Sequence, residues 1–494
     1  MPHSIRMIVS AVALVAVATA CDGSGGDDDS TTAGGAGDTG GTDSATGGAA
    51  GGAGDTGGTD SATGGAAGGA GDTGGADSAT GGAAGAAGDT GGTHSATGGA
   101  AGAATGGAGG GTSGDAPIAE WTDGPGACPP GVPQRDVSAV GQLEDAARGD
   151  GDYAADAPGT CYLIADGTYA SSSNVLFWVT TGGTTDTPRY FVGESRDGVI
   201  INARATIEAD HVVIQNMTFD LTGYAKTGSF NTISIEGATD TTLDHVTLTG
   251  DCQTGSTGGH VELNGTIGTV IDSCIVESFG NCGPDGHLDH GIYIASTESS
   301  VVRNSIIRNN ASRGIQFNTQ QGDFGTVDGV VIENNRIYQN GHADYEDGIV
   351  INAEDTGTIA NVTLRRNLIY DNYYSGLRFV GAALSGIVVE HNTFHDNGSG
   401  SSSASRSEVN HDADGSGGGT TITGNLFAVG HQLLNDCYSS AAAGFVIEDN
   451  VVFGTPSTGA CISGSVQADP AFADAANGDY HPTDSAVAGY GAYP

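Results

Sequence analysis

The chain has 494 residues and a formal net charge of -43, with only 15 lysines and arginines against 58 acidic residues. Such a balance excludes the basic surface on which nucleic-acid binding depends, so we expect no nucleic-acid partner. The roughly 380 residues that follow residue 114 are enough to bury a large core.

Residues 1–20 predict an export signal. Arg6 is followed by an apolar run from Met7 to Ala20, which is too short for a transmembrane helix. The run ends in Ala-Thr-Ala before Cys21. This arrangement resembles a bacterial lipoprotein signal, which implies that Cys21 is lipidated and that the protein contacts the membrane only through this anchor. The expected location is the bacterial cell envelope, either surface-exposed or secreted; the alternative is an ordinary signal peptide cut after Ala20.

Residues 21–114 predict a disordered linker behind the lipidated cysteine. They contain four near-identical copies of AGDTGGTDSATGGAAGG, which hold almost no large apolar side chain. A segment of this composition cannot offset its ordering entropy by burial. It would hold the following domain away from the membrane.

A repeat dominates the rest of the chain. Nine copies of a short pattern recur with a period near 29 residues: VIQNMTF, TLDHVTL, VIDSCIV, VVRNSII, VIENNRI, TLRRNLI, VVEHNTF, TITGNLF and VIEDNVV. Alternating β-branched residues predict strands, and the fixed period predicts stacking. We expect an all-β parallel solenoid of about ten coils over residues 198–468, an N-terminal cap with first coils over 115–197, and a C-terminal segment over 469–494.

A second strand follows each repeat and predicts two outward rows of side chains. Side chains alternate along a strand, and stacked coils lie about 4.8 Å apart, so equivalent positions are neighbours. One row is Ser234, Glu262, Tyr293, Gln316, Val350 and Arg378; the other is Asn231, Gly259, His290, Arg313, Asp347 and Ser375. The asparagines at the fifth repeat position, Asn335, Asn367, Asn392, Asn425 and Asn450, predict a structural amide ladder.

Seven cysteines remain if Cys21 is lipidated, so at least one has no intramolecular partner. Cys274 falls in an inward column and is expected to be a buried free thiol. Export makes disulfides plausible for the others. One pairing that accounts for the count joins Cys128 with Cys161, Cys252 with Cys282, and Cys437 with Cys461.

Residues 135–480 resemble the right-handed parallel β-helix proteins typified by pectate-lyase-like enzymes. The opening segments CYLIADGTYASSS and GVIINARATIEADHVVIQNMTF are similar to those of chondroitinase-B-like lyases, and ADPAFADAANGDYHP is similar to the terminal segment of secreted bacterial β-helix proteins. The resemblance implies the architecture. It does not fix the chemistry, because one fold hosts many functions.

The densest group of chemically active residues lies in PDGHLDHGIYI, residues 284–294. A β-elimination on a uronic acid needs a base for the C5 proton, a group that neutralises the carboxylate, and an acid for the leaving oxygen. His290 or His287 would be the base, Arg313 the neutralising group and Tyr293 the acid. Further predicted contacts to substrate are Asp289, Gln316, Arg378 and Lys226. Glu262 and Asp347 are candidate cation ligands, and the expected cation is Ca²⁺.

The segment Pro284–His287 is also similar to the Asp-Pro-His-Asp motif of mannuronan epimerases. That resemblance implies a histidine base, carried here by His287, and a carboxylate-binding arginine, carried by Arg313. A lysine base of the chondroitinase-B-like kind is not supported, because none of the later strands contains a lysine.

Three functions compete at this point. The favoured hypothesis is an exported, monomeric polysaccharide lyase that acts on an acidic polysaccharide. The second is a C5 epimerase of such a glycan, which shares the proton abstraction. The third is a non-catalytic surface lipoprotein that binds glycan or has a structural role.

Overall fold

The computed structural model describes most of the chain from residue 124 to residue 493. The described residues are 124–223, 228–229, 231–251, 256–280, 289–319, 325–343, 345–353, 357–381, 383–403, 406–411, 418–430, 432–433, 444–454 and 464–493; of 172–174, 228–229 and 256–258 only the backbone is described. Predictions that lie outside the described residues concern the export signal, the linker, Cys21, Lys226, His287, Cys252, Cys282, Cys437 and Cys461.

Short parallel strands form a first sheet of 12 strands. They are Gln134–Val137, Cys161–Ile164, Arg189–Gly193, Val212–Gln215, Thr242–Asp244, Val270–Asp272, Val301–Arg303, Val331–Glu333, Thr363–Arg365, Val388–Glu390, Thr421–Thr423 and Val446–Glu448. The strands from Val212–Gln215 onward coincide with the nine repeat copies, and three earlier strands extend the sheet. The predicted all-β parallel solenoid is therefore confirmed, with about nine coils built by the repeat itself.

The second sheet has 20 strands and consists of two parallel stacks. The first stack contains Thr218–Asp220, Thr247–Thr249, Ile275–Glu277, Ile306–Arg308, Arg336–Tyr338, Leu368–Tyr370, Thr393–His395, Leu426–Val429, Val451–Gly454 and Val466–Gln467. The second stack contains Gly167–Val179, Gly228–Ser229, Ile233–Glu236, Ser256–Asn264, Asp289–Ala295, Ile315–Asn318, Ile349–Ala353, Ser375–Gly381 and Ser407–His411. The long strand Val199–Ile207 joins the stacks because it pairs with a strand of each.

The remaining elements are small. A third sheet is formed by Thr326–Asp328, Thr358–Ala360 and Leu384–Ser385, and an antiparallel pair by Phe472–Asp474 and Asp479–Pro482. The helices are the α-helix Val140–Arg148 and the 3-10 turns Gly151–Tyr153, Ala475–Asn477 and Ser485–Val487. The α-helix buries Leu143, Ala146 and Ala147 in the core of the first coils. None of the described helices is long and apolar enough to cross a membrane.

Each coil turns sharply between its first-sheet strand and its first-stack strand. The residue at this bend has a positive φ in every repeat copy: Asn216, His245, Ser273, Asn304, Asn334, Arg366, His391, Gly424 and Asp449. Asparagine, aspartate and glycine are the residues that tolerate this left-handed conformation best. The bend reverses the alternation, so that the next residue points inward.

The inward columns predicted for the second stack form part of one continuous core. Ile235, Leu263, Ile294, Phe317, Ile351 and Phe379 are all buried in it. Complete burial of such a side chain contributes about 1.5–3 kcal/mol relative to exposure. This core fixes the register of the outward rows, because a slip by one residue would turn every side chain to the other face.

The predicted asparagine ladder is confirmed. Asn367 accepts hydrogen bonds at Oδ1 from the backbone N–H and from Nδ2 of Asn335, both at 3.0 Å, and its own Nδ2 donates to Asn392 Oδ1 at 2.9 Å. The same pattern continues through Asn425 to Asn450. The buried amides of this ladder are therefore hydrogen-bonded between coils.

A second asparagine ladder, which we did not predict, lies at the other end of the first-stack strands. Nδ2 of Asn310, Asn340 and Asn372 donates to Oδ1 of the next asparagine at 3.0, 3.1 and 2.9 Å, the last acceptor being Asn397. The second stack approaches this ladder through glycines. A Cβ on Gly348 would lie 2.7 Å from Asn372 Nδ2, so a side chain does not fit there.

Glu408 ends the second ladder. Asn397 Nδ2 donates to Glu408 Oε2 at 2.6 Å, and Glu408 occupies the position that is glycine in the preceding coils. Complete burial raises the pKa of Glu408 well above its usual range, although the bonds from Asn397 oppose the shift. The carboxyl group therefore stays protonated to higher pH in the folded protein than in the unfolded chain.

Compared with the parent chain, the Glu408→Gln variant is expected to become relatively more stable as pH rises. A raised folded-state pKa gives Glu408 a stabilising contribution that is complete below about pH 4.3 and is lost as pH rises through the folded pKa, at about 1.4 kcal/mol per pH unit. Glutamine keeps the acceptor for Asn397 and does not titrate. Thermal unfolding from pH 4 to 8 should show a Tm difference that grows with pH, whereas a pH-independent difference would contradict a buried, protonated Glu408.

Two of the cysteine predictions fall on described residues. Cys128 and Cys161 form a disulfide, as expected, which ties the N-terminal loop to the second strand of the first sheet. Cys274 is a buried free cysteine, and its Sγ lies 3.5 Å from Leu243 O. Burial raises the pKa of the Cys274 thiol, so it is an unreactive core residue rather than a nucleophile.

Candidate functional site

The second stack presents one continuous outward row. The residues expected in this row occur in direct register from Ser234 to Arg378. The structure extends the row at both ends, with Trp178 and Thr206 before Ser234 and Asn410 after Arg378. We call this set, from Trp178 to Asn410, the outward row.

Tyr293 is the central member of the outward row, and His290 lies beside it in the neighbouring row that also contains Gly259 and Arg313. His290 and Tyr293 belong to the strand Asp289–Ala295, and their rings are stacked with centroids 5.7 Å apart and an interplanar angle of 11°. His290 Nδ1 is buried and has no hydrogen-bond partner among the described residues. Burial, together with the nearby Arg313, lowers the pKa of His290 well below its ordinary value. The imidazole is therefore neutral at pH 7, with a ring nitrogen that no described residue hydrogen-bonds.

Arg313 lies one coil beyond His290, as the sequence predicted. Its carbonyl accepts from the Gly291 N–H at 2.9 Å, and its Nη1 donates to Gln316 Oε1 at 2.8 Å. Burial lowers the pKa of Arg313, and Asp347 opposes the shift. A guanidinium nevertheless stays protonated in proteins, so Arg313 is a fixed positive charge beside the neutral imidazole.

The phenol of Tyr293 is held by a chain of amides. Asn318 Nδ2 donates to Tyr293 Oη, and Asn352 Nδ2 donates to Asn318 Oδ1 at 3.2 Å. Burial raises the pKa of Tyr293, although the Asn318 bond and Arg313 oppose the shift. Tyr293 is thus a protonated phenol at neutral pH. Asn318 and Asn352 were missed by sequence reasoning, although both follow directly on inward aromatic or aliphatic residues of the row-bearing strands.

Arg378 adds a second positive charge two coils beyond Arg313. Its Nη1 lies 3.9 Å from Asp347 Oδ2, and its guanidinium lies 4.9 Å from the ring centroid of Tyr345. Tyr345 is 54% exposed, whereas Asp347 is completely buried. Arg378 and Tyr345 together offer a cation and an aromatic face at the edge of the site.

Glu262 lies one coil before Tyr293 and accepts a hydrogen bond at Oε2 from Asn231 Nδ2. Burial and the neighbouring Glu236 raise the pKa of Glu262, and the Asn231 bond opposes them. Glu262 and Asp347 are three coils, or about 14 Å, apart, so the two predicted Ca²⁺ ligands do not share one ion. No group of three or more metal-ligating side chains occurs within the described ranges.

Asp289 differs from our expectation. It begins the strand that bears His290, yet it is 0% exposed and packs against Gly280. A completely buried carboxylate does not contact a polysaccharide in this conformation. The structure therefore removes Asp289 from the candidate substrate contacts.

Comparisons with known proteins identify the fold. Residues 194–384 and 326–427 match the family described as the right handed beta helix region. This match agrees with the stacked parallel strands of the same residues, which form a parallel β-helix. No curated protein gives a significant match to the sequence.

Among solved structures, pectate lyase Pel9A is 11% identical, with 69% of this chain and 84% of that chain covered and a TM-score of 0.41. The A-module of the Azotobacter vinelandii mannuronan C-5 epimerase AlgE4 is 14% identical, with 65% and 89% covered and a TM-score of 0.35. PfbA, a surface adhesin of Streptococcus pneumoniae, is 12% identical, with 64% and 80% covered and a TM-score of 0.41. Two enzymes and an adhesin at such low identity leave the function to be argued from the site itself.

Proposed function

We propose that the protein is an exported polysaccharide lyase that cleaves a uronic-acid-containing polysaccharide by β-elimination. The observation that carries the proposal is the stacked pair of a neutral imidazole, His290, and a protonated phenol, Tyr293, beside the fixed charge of Arg313. A base, an acid and a carboxylate-binding cation are the three groups that the reaction needs.

The reaction balances with these groups alone. Arg313 binds the uronate carboxylate and stabilises the negative charge that spreads into it as the C5–H bond breaks. His290 takes the C5 proton, the electron pair forms the C4–C5 double bond, and the C4–O bond breaks. Tyr293 gives its proton to the leaving oxygen and is reprotonated from solvent as His290 releases its proton. The products are an unsaturated sugar and a shortened chain with a free hydroxyl group.

The burial of His290 supports its assignment as the base, and it also restricts how the substrate can reach it. His290 is 2% exposed, so the proposal requires a sugar ring to reach the imidazole past the more accessible Tyr293. In return, charges at a site shielded from water interact more strongly than on an open surface. The neutral His290 costs less to bury than a charged one would.

The overall acidity of the protein does not exclude a polyanionic substrate. Exposed charges separated by more than about 8 Å are largely screened at physiological salt. Two positive charges, Arg313 and Arg378, lie on or beside the outward row two coils apart, with Asp347 3.9 Å from Arg378. Arg378 with Tyr345 would hold a second sugar of the bound chain.

The test is an absorbance assay with the full-length chain, with and without Ca²⁺, on a panel of pectate, alginate and glycosaminoglycans. An increase in ultraviolet absorbance from the unsaturated product on one polymer would support the lyase and name its substrate. A flat trace throughout would contradict it. Deuterium incorporation at C5 from D₂O without chain shortening would instead support a C5 epimerase, and binding with neither change would support a non-catalytic glycan-binding protein.

Glu262→Gln is expected to lower KM for the acidic polymer about threefold, since the substitution removes a negative charge next to Tyr293. The pKa of Glu262 is raised by burial and by Glu236, while Arg204 opposes the shift. The effect on KM should therefore be largest above this pKa and vanish as pH falls and Glu262 becomes neutral.

Glu333→Gln, which removes the partner of Arg365 on the first sheet, is the matched control and should leave KM unchanged. An increase in KM in Glu262→Gln that EDTA abolishes would contradict the repulsion and would support Glu262 as a cation ligand.

A further inference from the structure

Trp178 is an exposed aromatic residue on an otherwise buried strand segment. It is 41% exposed, whereas its neighbours Phe177 and Val179 are completely buried. Exposing a tryptophan leaves a large apolar surface in water. A ligand that packs on the indole ring would remove this apolar surface from water.

The register places Trp178 at one end of the outward row. It pairs with Thr206, Thr206 pairs with Ser234, and Ser234 pairs with Glu262, the neighbour of Tyr293. Trp178 thus lies four coil spacings, or about 19 Å, from Tyr293. Arg378 lies three spacings beyond Tyr293 on the other side, so the two ends are about 34 Å apart.

The residues between Trp178 and Tyr293 form the floor of the path that joins them. Thr206 and Ser234 have short side chains with hydroxyl groups, Ser234 is only 2% exposed, and Glu262 accepts a hydrogen bond from Asn231. A 1,4-linked sugar advances by nearly the spacing between coils, so that successive sugars of a chain lying along the solenoid axis would meet successive members of the row.

We propose that Trp178 is a stacking platform for a sugar ring of the acidic polysaccharide, at the distal end of a binding track that runs along the outward row to Arg378. The C–H face of a pyranose ring packs on an indole face, and the indole N–H can donate to a sugar hydroxyl group. The class of sugar rests on the proposed function, whereas the position and direction of the track rest on the register.

The test uses two independent readouts, the fluorescence of Trp178 and the turnover of oligosaccharides. The chain has two tryptophans, so Trp121→Phe leaves Trp178 as the reporter of its own environment. Full-length Trp121→Phe is titrated with oligogalacturonates and oligomannuronates from dimer to decamer, and intrinsic fluorescence is followed. The fluorescence of Trp178 should change with the long oligomers of one series and not with its dimer.

Turnover provides the second readout. Trp178→Ala should raise KM for the decamer about tenfold, the equivalent of about 1.4 kcal/mol, and leave kcat and the KM for short oligomers unchanged. Phe453→Ala is the matched control, because Phe453 is also 41% exposed but lies on the first stack; it should change neither constant.

The outcomes separate the two proposals. Cleavage without a Trp178 fluorescence change, or with equal KM effects on long and short oligomers, would overturn the distal platform and leave the lyase standing. A length-dependent fluorescence change without cleavage would support the track and contradict the lyase. A circular dichroism spectrum equal to that of the parent chain shows that Trp178→Ala is folded.

Discussion

His290→Ala is expected to lower kcat on the acidic polysaccharide by about 10²–10⁴, the usual contribution of a general base. The buried Nδ1 of His290 has no hydrogen-bond partner among the described residues, so the substitution removes the nitrogen proposed to accept the C5 proton. Arg313→Ala is expected to lower kcat by about 10²–10³, because it removes the charge that stabilises the developing anion. Both variants should keep the β-sheet circular dichroism of the parent.

The pH dependence of kcat/KM provides a second test of His290 as the base. A base must be neutral to act, and the pKa of His290 is lowered by burial first and by Arg313 second. The acid limb of kcat/KM should therefore lie below about pH 6.5, the ordinary histidine value. A residual rate in Arg313→Ala should show this limb at higher pH, since one of the two causes of the depression is gone.

Matched controls for these variants lie on other faces. His481→Ala removes a histidine that pairs with Asp479, and Arg365→Ala removes an arginine that pairs with Glu333. Both should leave kcat unchanged. Wild-type rates in His290→Ala and Arg313→Ala would eliminate the proposed catalytic site, whatever the controls show.

Asn367→Ala is expected to destabilise the protein by about 3 kcal/mol or more. The substitution removes Oδ1 as the acceptor of two buried donors of Asn335, and removes the Nδ2 that donates to Asn392 Oδ1 and Ile332 O. Each buried polar group left without a partner costs about 1–3 kcal/mol. Chemical or thermal denaturation of the full-length chain measures the loss.

The two ladders provide an internal comparison. Asn372 makes the same contacts in the second ladder, through Asn340 and Asn397, so Asn372→Ala should cost about as much as Asn367→Ala. Asn477→Ala, which breaks only an exposed bond to Asp474, should cost less than about 0.5 kcal/mol. A loss in Asn367→Ala as small as in Asn477→Ala would contradict a structural role for the ladder.

Most of the fold could be predicted because one physical rule repeats along the chain. Side chains alternate between the inner and outer face of the second strand in each coil. This rule predicts that Glu262, Tyr293 and Gln316 are neighbours, and the observed register confirms it. The second asparagine ladder was equally accessible. Asn310, Asn340, Asn372 and Asn397 are separated by 30, 32 and 25 residues, the same steps as the fifth repeat positions Ser305, Asn335, Asn367 and Asn392.

The site was less predictable, because its chemistry depends on burial and on contacts across coils. The sequence placed His290 beside Arg313, but not the loss of solvent that makes the imidazole neutral. It also could not show that Asp289 is completely buried. Trp178 was missed because its strand contains register shifts at Ala170, Val175 and Phe177, so counting along the sequence does not bring it into the row.

The central claim is that the protein breaks its substrate by elimination. The most direct measurement is to digest the responding polysaccharide with the full-length chain and to analyse the products by mass spectrometry. Elimination predicts fragments whose masses add up to that of the parent chain, one of them with an unsaturated end. Fragments that together gain one molecule of water per cleavage would show hydrolysis, and would contradict the roles assigned to His290, Tyr293 and Arg313.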